Sequence, residues 1–310
     1  MNILLFGAAG FIGTNLALKL RELPDTHLTL VDVNKAYFHA CVQAENVTLL
    51  ESPIGMDTDF EAIFQNQDVV YHLVSTTVPS TSNQQIADEL TANVVMTAKL
   101  LDGCVKCGVK KVVFISSGGT VYGKEGSCPL AEDTPTNPIS AYGVQKVTIE
   151  KLLYLYHYIH SLDYRVIRLA NPYGPYQRPN GILGAVTTFT YKALRGEEIS
   201  VFGNGSVVRD FIYIDDAISA IIRIAETDTP YKTFNLGSGQ GTSIRQVLSA
   251  IENALHLKLN INWLPERAVD VPENYLDISR YESCFGPLNP LPLSTGILRT
   301  AAFMKDNNMV

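Results

Sequence analysis

Short apolar runs alternate with longer amphipathic segments through the first half of the chain. "NILLF", "LTLVDV", "VTLL", "DVVYHLV", "KKVVFIS" and "YRVIRLA" are compact and rich in aliphatic residues, and they read as strands. Between them, "NLALKLREL", "ADELTANVVMTAKLLDGCVKCG" and "AYGVQKVTIEKLLYLYHYIH" repeat apolar residues at helical spacing, with Gly108 closing the second helix. Val112 to Ile115 are apolar without interruption, which predicts a strand buried on both faces. Such strands alternating with helices predict a doubly wound parallel sheet in an α/β fold.

After Asn171 the prolines and glycines become frequent and the elements shorten. "GAVTTFTYKALRG" reads as a helix, "ISVFG" as a strand, "SIRQVLSAIENAL" as a helix and "LNINWL" as a strand. "RDFIYIDDAISAIIRIAE" reads as a strand feeding a capped helix, a return to the main sheet. From Pro265 onward the chain is Pro-rich and is expected to be irregular. This divides the chain into residues 1–171 plus about 207–231 for the main domain. A smaller, discontinuous α/β substrate-binding lobe takes about 172–206 plus 232–310.

Composition excludes several classes. The 310 residues are 46% hydrophobic and 18% charged, as in a globular protein with a sizeable core. The net charge is −7 with no basic run, so nucleic acid is not expected as a partner. No window approaches ~20 apolar residues, and the N-terminus lacks a basic region and a cleavage site, so the expectation is a cytoplasmic protein without a membrane partner. The five cysteines are odd in number and scattered, which argues against a disulfide framework. Cys104 and Cys107 form a C-x-x-C without a second pair, and the six His show no ligand spacing, so no metal is expected.

Gly7-Ala-Ala-Gly10-Phe11-Ile12-Gly13 follows the first strand directly and opens a helix. Glycine there permits a tight turn, close approach of backbone to a pyrophosphate and close helix–strand packing. The helix N-terminus adds free N–H groups and the positive end of its dipole. Asp32 ends the second strand, 19 residues after Gly13, where its carboxylate can accept from ribose hydroxyls and repel a 2′-phosphate. The main domain is therefore read as a Rossmann-type sheet that binds NAD rather than NADP.

Tyr142 and Lys146 in "AYGVQK" lie four residues apart on the second long helix and face the same side. A tyrosine normally titrates near ~10. A neighbouring ammonium and a positively charged nicotinamide would both favour the phenolate. The pair is therefore read as catalytic, with Tyr142 the general base and Lys146 also holding the nicotinamide ribose.

These motifs together resemble the extended short-chain dehydrogenase/reductase superfamily, and within it the NAD-dependent nucleotide-sugar epimerase/dehydratase family of the UDP-glucose 4-epimerase type. The resemblance rests on "GAAGFIG", "SSGGTVYG" ahead of "YGVQK", "RLANPYGPYQ", "VFGNGSVVRDFIYIDD" and "PERAVDVPENYLDISR", in that order. It implies that Gly7, Gly10, Phe11, Ile12 and Gly13 carry the pyrophosphate, and Asp32 with Asn34 the adenosine ribose. Leu73 and Val74 would line the cofactor, and Asn93 would contact it. Asn171 would touch the substrate diphosphate. "GILGAV" with Ser200 and Phe202 would cradle the base. Arg209 and Arg267 would hold the diphosphate, and Asp270 a ribose hydroxyl. Two arginines in glycine- or proline-rich loops are also suited, on charge alone, to clamp two phosphates. The implied activity is 4-epimerisation of a nucleotide-diphosphate sugar by a homodimer. The two long helices would then form a four-helix bundle between subunits.

Three positions depart from the family pattern. Pro53 replaces an acidic residue before Ile54, leaving only a backbone contact from Ile54 to the adenine. The usual catalytic hydroxyl falls on Gly118, so Ser117, Thr120 or a water would substitute, and the glycines are expected to leave room beside the sugar. Asn274, followed by Tyr275, takes the position that gates bulk at the second sugar carbon. Other readings stay open at this point: a nucleotide-sugar reductase, a dehydratase, or an NAD-binding regulatory protein with impaired catalysis. The dehydratase needs an acid/base pair where Gly119 and Thr120 stand.

Overall fold

The computed structural model describes residues 1–76, 82–179, 184–266 and 271–310. Its first half alternates as the sequence predicts. β1 (Asn2–Phe6) leads to α1 (Phe11–Leu20), β2 (His27–Asp32), β3 (Val47–Glu51), α2 (Phe60–Phe64) and β4 (Val69–His72). The first long helix has two α-helical parts, α3 (Ile86–Leu90) and α4 (Met96–Lys106), joined by a π-helical segment at Thr91–Val95. Then come β5 (Lys111–Ser117), α5 (Ala141–His160), β6 (Asp163–Leu169) and β7 (Asn171–Tyr173).

The second half holds α6 (Ala185–Leu194), β8 (Ile199–Phe202), β9 (Val208–Arg209), β10 (Phe211–Tyr213), α7 (Ile214–Glu226) and β11 (Thr233–Leu236). It closes with β12 (Thr242–Ser243), α8 (Ile244–Leu255), β13 (Ile261–Leu264), β14 (Glu273–Asn274), α9 (Ser279–Phe285) and α10 (Leu293–Asp306).

Among the described residues the main sheet has seven strands in the order β11-β6-β5-β4-β1-β2-β3, all parallel. This is the Rossmann-type doubly wound sheet that the alternation predicts. Side chains alternate across it. Ile3 and Leu5 of β1, with Val113 and Ile115 of β5, enter the core on one face, which α1 and α7 cover. Leu4 and Phe6, with Val112 and Phe114, enter the core on the other, with residues of α2, α4 and α5. All of β1 from Ile3 to Phe6 is at most 1% exposed, which explains why these strands read as uninterrupted apolar runs. The strand order reverses between β1 and β4, and the crevice outside the carboxyl ends there is where such sheets bind ligands.

Two expectations fail. "FIYI" does not return to the main sheet: β10 pairs with β7 in a separate two-stranded ribbon, and β11, read with the smaller lobe, forms the edge beside β6. An apolar run announces a strand but not its neighbour. The helix after β10 does return, for α7 packs on β6 and α1 with Ile214, Ile218, Ile221 and Ile224 at most 3% exposed. The segment after Pro265 is not irregular, since it contains α9 and the 14-residue α10. Gly296 and two threonines mute the helical signal of α10. A Cβ at Gly296 would come 2.8 Å from the Tyr173 ring, so glycine permits that helix to pack against β7. Around α8 and α10 the smaller part adds the parallel pair β8–β13 and the three-stranded β12-β9-β14.

Candidate functional site

The glycine loop sits at the reversal of strand order. Gly7 has φ of +91°, and a Cβ there would lie 2.9 Å from Val74 Cγ2 at the exit of β4. A Cβ on Gly13 would lie 2.6 Å from Ala8 O, so α1 presses on its own loop. Gly10, by contrast, has only Gly7 O at 3.6 Å from its Cβ position. Gly10 is the N-cap of α1 without a side-chain cap, and its first turn, with Phe11 and Ile12, carries no acidic residue. That end leaves its N–H groups to an anion, and the cradle fits a pyrophosphate.

Asp32 ends β2 beside this loop. Its Oδ2 accepts from Ala9 N at 2.8 Å and its Oδ1 from Val33 N at 2.8 Å. One lone pair on each oxygen remains for ribose hydroxyls. Asn34 caps a short 3-10 turn by accepting from Ala36 N. Leu73 and Val74 follow β4, and Ile54 packs half-buried against the same core as Val74. Asn93 lies in the π-helical segment and is 3% exposed. Its Oδ1 accepts from Thr76 N at 3.0 Å, and its Nδ2 donates to Thr76 Oγ1 at 2.9 Å and Glu89 O at 3.0 Å. Both amide protons are spent here, so Asn93 braces the chain leaving β4.

Tyr142 and Lys146 come from the first two turns of α5. Three side chains fix the start of this helix: Asn83 Oδ1 accepts from Ala141 N, Ser82 Oγ from Tyr142 N, and Ser140 Oγ from Gly143 N. Lys146 Nζ donates to Ile115 O at 2.9 Å, and it stands 5.4 Å from the Tyr142 ring centroid and 4.7 Å from that of Phe114. The expected lowering of the tyrosine by the lysine is not seen in the chain by itself. Burial pushes Tyr142 up to about 12, and it drives Lys146 down to about 8. Desolvation is the cause at Tyr142, and at Lys146 it outweighs attraction to Glu150.

The glycine turn after β5 is also corrected. A Cβ on Gly118 would lie 2.5 Å from Leu276 Cδ1 and 3.0 Å from Arg168 O, so Leu276 fills the space expected to be open. Gly119 has only Ser117 Oγ, at 4.0 Å from its Cβ position. Ser117 ends β5 half-buried, and Thr120 Oγ1 is buried without a hydrogen-bond partner among the described residues. Gly118→Ser is therefore expected to lose about 1–3 kcal/mol of stability. Leu276→Ala in the same chain should return part of that loss, read from denaturant midpoints.

On the substrate side, Asn171 Nδ2 donates to Asp210 O at 2.8 Å and ties β7 to β10. Arg209 and Asn274 are paired in register across β9 and β14. Arg209 Nη1 donates to Val208 O and Val271 O, both at 2.7 Å. Asn274 is 2% exposed and reaches Gly118 O at 3.4 Å, so the gating position does adjoin the glycine turn. Ser200 and Phe202 share the exposed face of β8. Arg267, Asp270 and residues 181–183 of "GILGAV" lie outside the described residues.

Some residues that shape the site escaped the sequence reading. Asp210 is fully buried, and its carboxylate accepts from Ser238 N and Oγ, Gly239 N and Leu276 N, so it seats Leu276. Glu150 and Arg168 form a buried pair at 2.7 Å below β5 and β6. A charge four residues past Lys146 on an apolar helix face was the available signal for Glu150.

A model of the NAD dependent epimerase/dehydratase family matches residues 3–237. A UDP-glucose 4-epimerase of Mycolicibacterium smegmatis is 33% identical over 99% of this chain and 100% of that protein. The crystal structure of a UDP-glucose 4-epimerase from Thermotoga maritima with UDP-glucose superposes with a TM-score of 0.91 at 32% identity, covering 99% of this chain and 100% of that one. A UDP-glucuronic acid 4-epimerase from Bacillus cereus, in complex with UDP-glucuronic acid and NAD, gives 0.90 at 28% identity, with 99% and 100% covered. The resemblance read from the motifs is borne out.

Proposed function

Because the chain belongs to the NAD-dependent epimerase/dehydratase family, we propose that it is a NAD-dependent nucleotide-sugar 4-epimerase. Its substrate is a UDP-hexose such as UDP-glucose or UDP-galactose, or an N-acetyl or uronic-acid form. The observation that carries this is the placement of Tyr142 and Lys146. Lys146 is anchored on Ile115 O, and the first turn of α5 lies against Thr120, whose carbonyl would be 2.7 Å from a Cβ on Gly143. The pair thus meets the glycine turn at the carboxyl end of β5.

The Gly7–Gly13 loop, Asp32 and Lys146 would hold NAD, which would supply a reversible hydride acceptor for sugar C4. Tyr142 accepts the C4-hydroxyl proton and later gives it back. In the chain by itself Tyr142 stays protonated at neutral pH. Added positive charge beside it favours the phenolate, and Lys146 is placed to contribute. Thr120, with its buried unspent hydroxyl, and Ser117 are the local donors to the C4 oxygen. Arg209, Asn171 and, by motif, Arg267 and Asp270 anchor the nucleotide while the sugar turns about its diphosphate link. The acid/base pair of a dehydratase has no counterpart at Gly119 and Thr120.

We further propose a homodimer in the cytoplasm. Val144, Leu155, Tyr158 and Ile159 on α5 are 42–78% exposed, and Val95 before α4 is 43% exposed, an apolar surface suited to a second copy. Light scattering should return twice 34.0 kDa. A cytoplasmic location suits the five free cysteines.

Purified protein incubated with each UDP-sugar and no added NAD should interconvert at least one C4 pair. Conversion only with stoichiometric NAD(P)H would mean a reductase, and no conversion of any sugar would sink the reading.

A further inference from the structure

The reaction does not draw directly on the most enclosed ion pair among the described residues of the site. Glu150 lies one turn beyond Lys146 on α5, with its side chain 7% exposed. Its Oε1 accepts from Ser116 Oγ at 2.5 Å and from Arg168 Nε at 3.1 Å, and its Oε2 from Arg168 Nη2 at 2.7 Å. Arg168 Nη1 donates to the Tyr122 hydroxyl at 3.0 Å and to Glu132 O at 2.9 Å. The Tyr122 hydroxyl in turn donates to Asn235 Oδ1 at 2.6 Å. Every part of the pair is therefore held. A buried ion pair is often no more stabilising than apolar residues of the same volume, so stability alone does not account for it.

We propose that Glu150 is a positioning residue for Lys146: Ser116 and Arg168 lock its carboxylate one helical turn from the buried ammonium, where it is the counter-charge that keeps Lys146 cationic in the site. This rests on the reading of Lys146 as the cation beside Tyr142. Burial drives Lys146 toward the neutral amine, and attraction to Glu150 opposes it. In the chain by itself, the other titratable groups facing Lys146 among the described residues offer no negative charge. Tyr142 is a neutral phenol, because burial holds it protonated up to about 12. His72 on β4 is neutral, because burial lowers it to about 3. Arg168 on β6 is positive and stands behind Glu150.

The signs follow. Removing the Glu150 charge leaves Arg168 unopposed, so Lys146 should lose its proton at lower pH. Removing the Arg168 charge frees Glu150, so Lys146 should keep its proton to higher pH. A scaffold role alone would weaken both variants without moving the titration in opposite directions.

The test is a pH titration of protein labelled with 13C at lysine Cε, read by NMR, with Lys146 assigned from the signal lost in Lys146→Met. Glu150→Gln should shift the Lys146 midpoint down by about 1 unit and Arg168→Met should shift it up. The alkaline limb of kcat/KM should move the same way in each. Shifts in the same direction, or none, overturn the proposal. Should either single variant not fold, Glu150→Gln/Arg168→Met removes both members of the ion pair, and because it takes the counter-charge from Lys146 it must titrate below the wild type. An unchanged midpoint in that double variant also overturns it. Wild-type protein inactive on every UDP-sugar would remove the proposed function, yet the NMR midpoints would still decide the role of Glu150.

Discussion

Tyr142→Phe should lower kcat by about 10²- to 10⁴-fold, the usual contribution of a positioned general base. That range corresponds to about 2.7–5.4 kcal/mol of transition-state stabilisation. The substitution removes one oxygen and keeps the ring, so α5, the caps from Ser82 and Asn83, and the Lys146 bond to Ile115 O should persist. NAD affinity should stay within a few-fold of wild type, read by equilibrium dialysis on the same preparation. Turnover at the wild-type rate would take the base role away from Tyr142. Loss of NAD binding together with turnover would instead make the tyrosine a cofactor contact. With NAD bound, the wild-type profile should also rise with pH as Tyr142, brought down from about 12 by the added positive charge, gives up its proton. It should fall again as Lys146, already lowered by burial to about 8 in the chain by itself, turns neutral.

Gly13→Val should weaken NAD binding by about 5- to 150-fold. A side chain there meets Ala8 O at 2.6 Å, Ala8 Cα at 2.7 Å and Gly7 O at 2.7 Å, all backbone atoms with no rotamer to yield. Overpacking of this kind costs about 1–3 kcal/mol, and tenfold in affinity is about 1.4 kcal/mol. The strain acts on the packing of α1 against the pyrophosphate loop, so binding and thermal stability should both fall. Gly10→Ala is the informative contrast, since its Cβ clears the chain at 3.6 Å. It should leave the melting temperature nearly unchanged while still lowering affinity, because Gly10 is the N-cap of the helix end read as the pyrophosphate cradle. Equal losses of stability in the two variants would contradict the close approach at Gly13.

The contrast between what was legible and what was not follows particular residues. β1, β5 and α5 were readable because burial on both sheet faces, or on one helix face, writes a period directly into the chain. The loop Gly7–Gly13 was readable because pyrophosphate recognition by backbone needs glycine at fixed spacing after a strand. α10 was hidden because its close approach to Tyr173 required a glycine that weakens the helical pattern. The partner of β10 was hidden because strand pairing is a choice among distant segments. Tyr142 and Lys146 were found by spacing, but burial, which raises the tyrosine and lowers the lysine in the chain by itself, was not legible there. Spacing reports proximity and says nothing of desolvation.

By itself the chain determined the doubly wound architecture, the cofactor class and the Tyr142–Lys146 pair, since each depends on local period or on residue chemistry at short range. Only the tertiary structure decided the rest. Leu276, brought from a segment more than 150 residues away, fills the space at Gly118, with its backbone held by Asp210. Arg168 from β6 meets Glu150 from α5 and sets the charge around Lys146. Volume and dielectric at a point are sums over everything folded against it, and no stretch of sequence contains that sum.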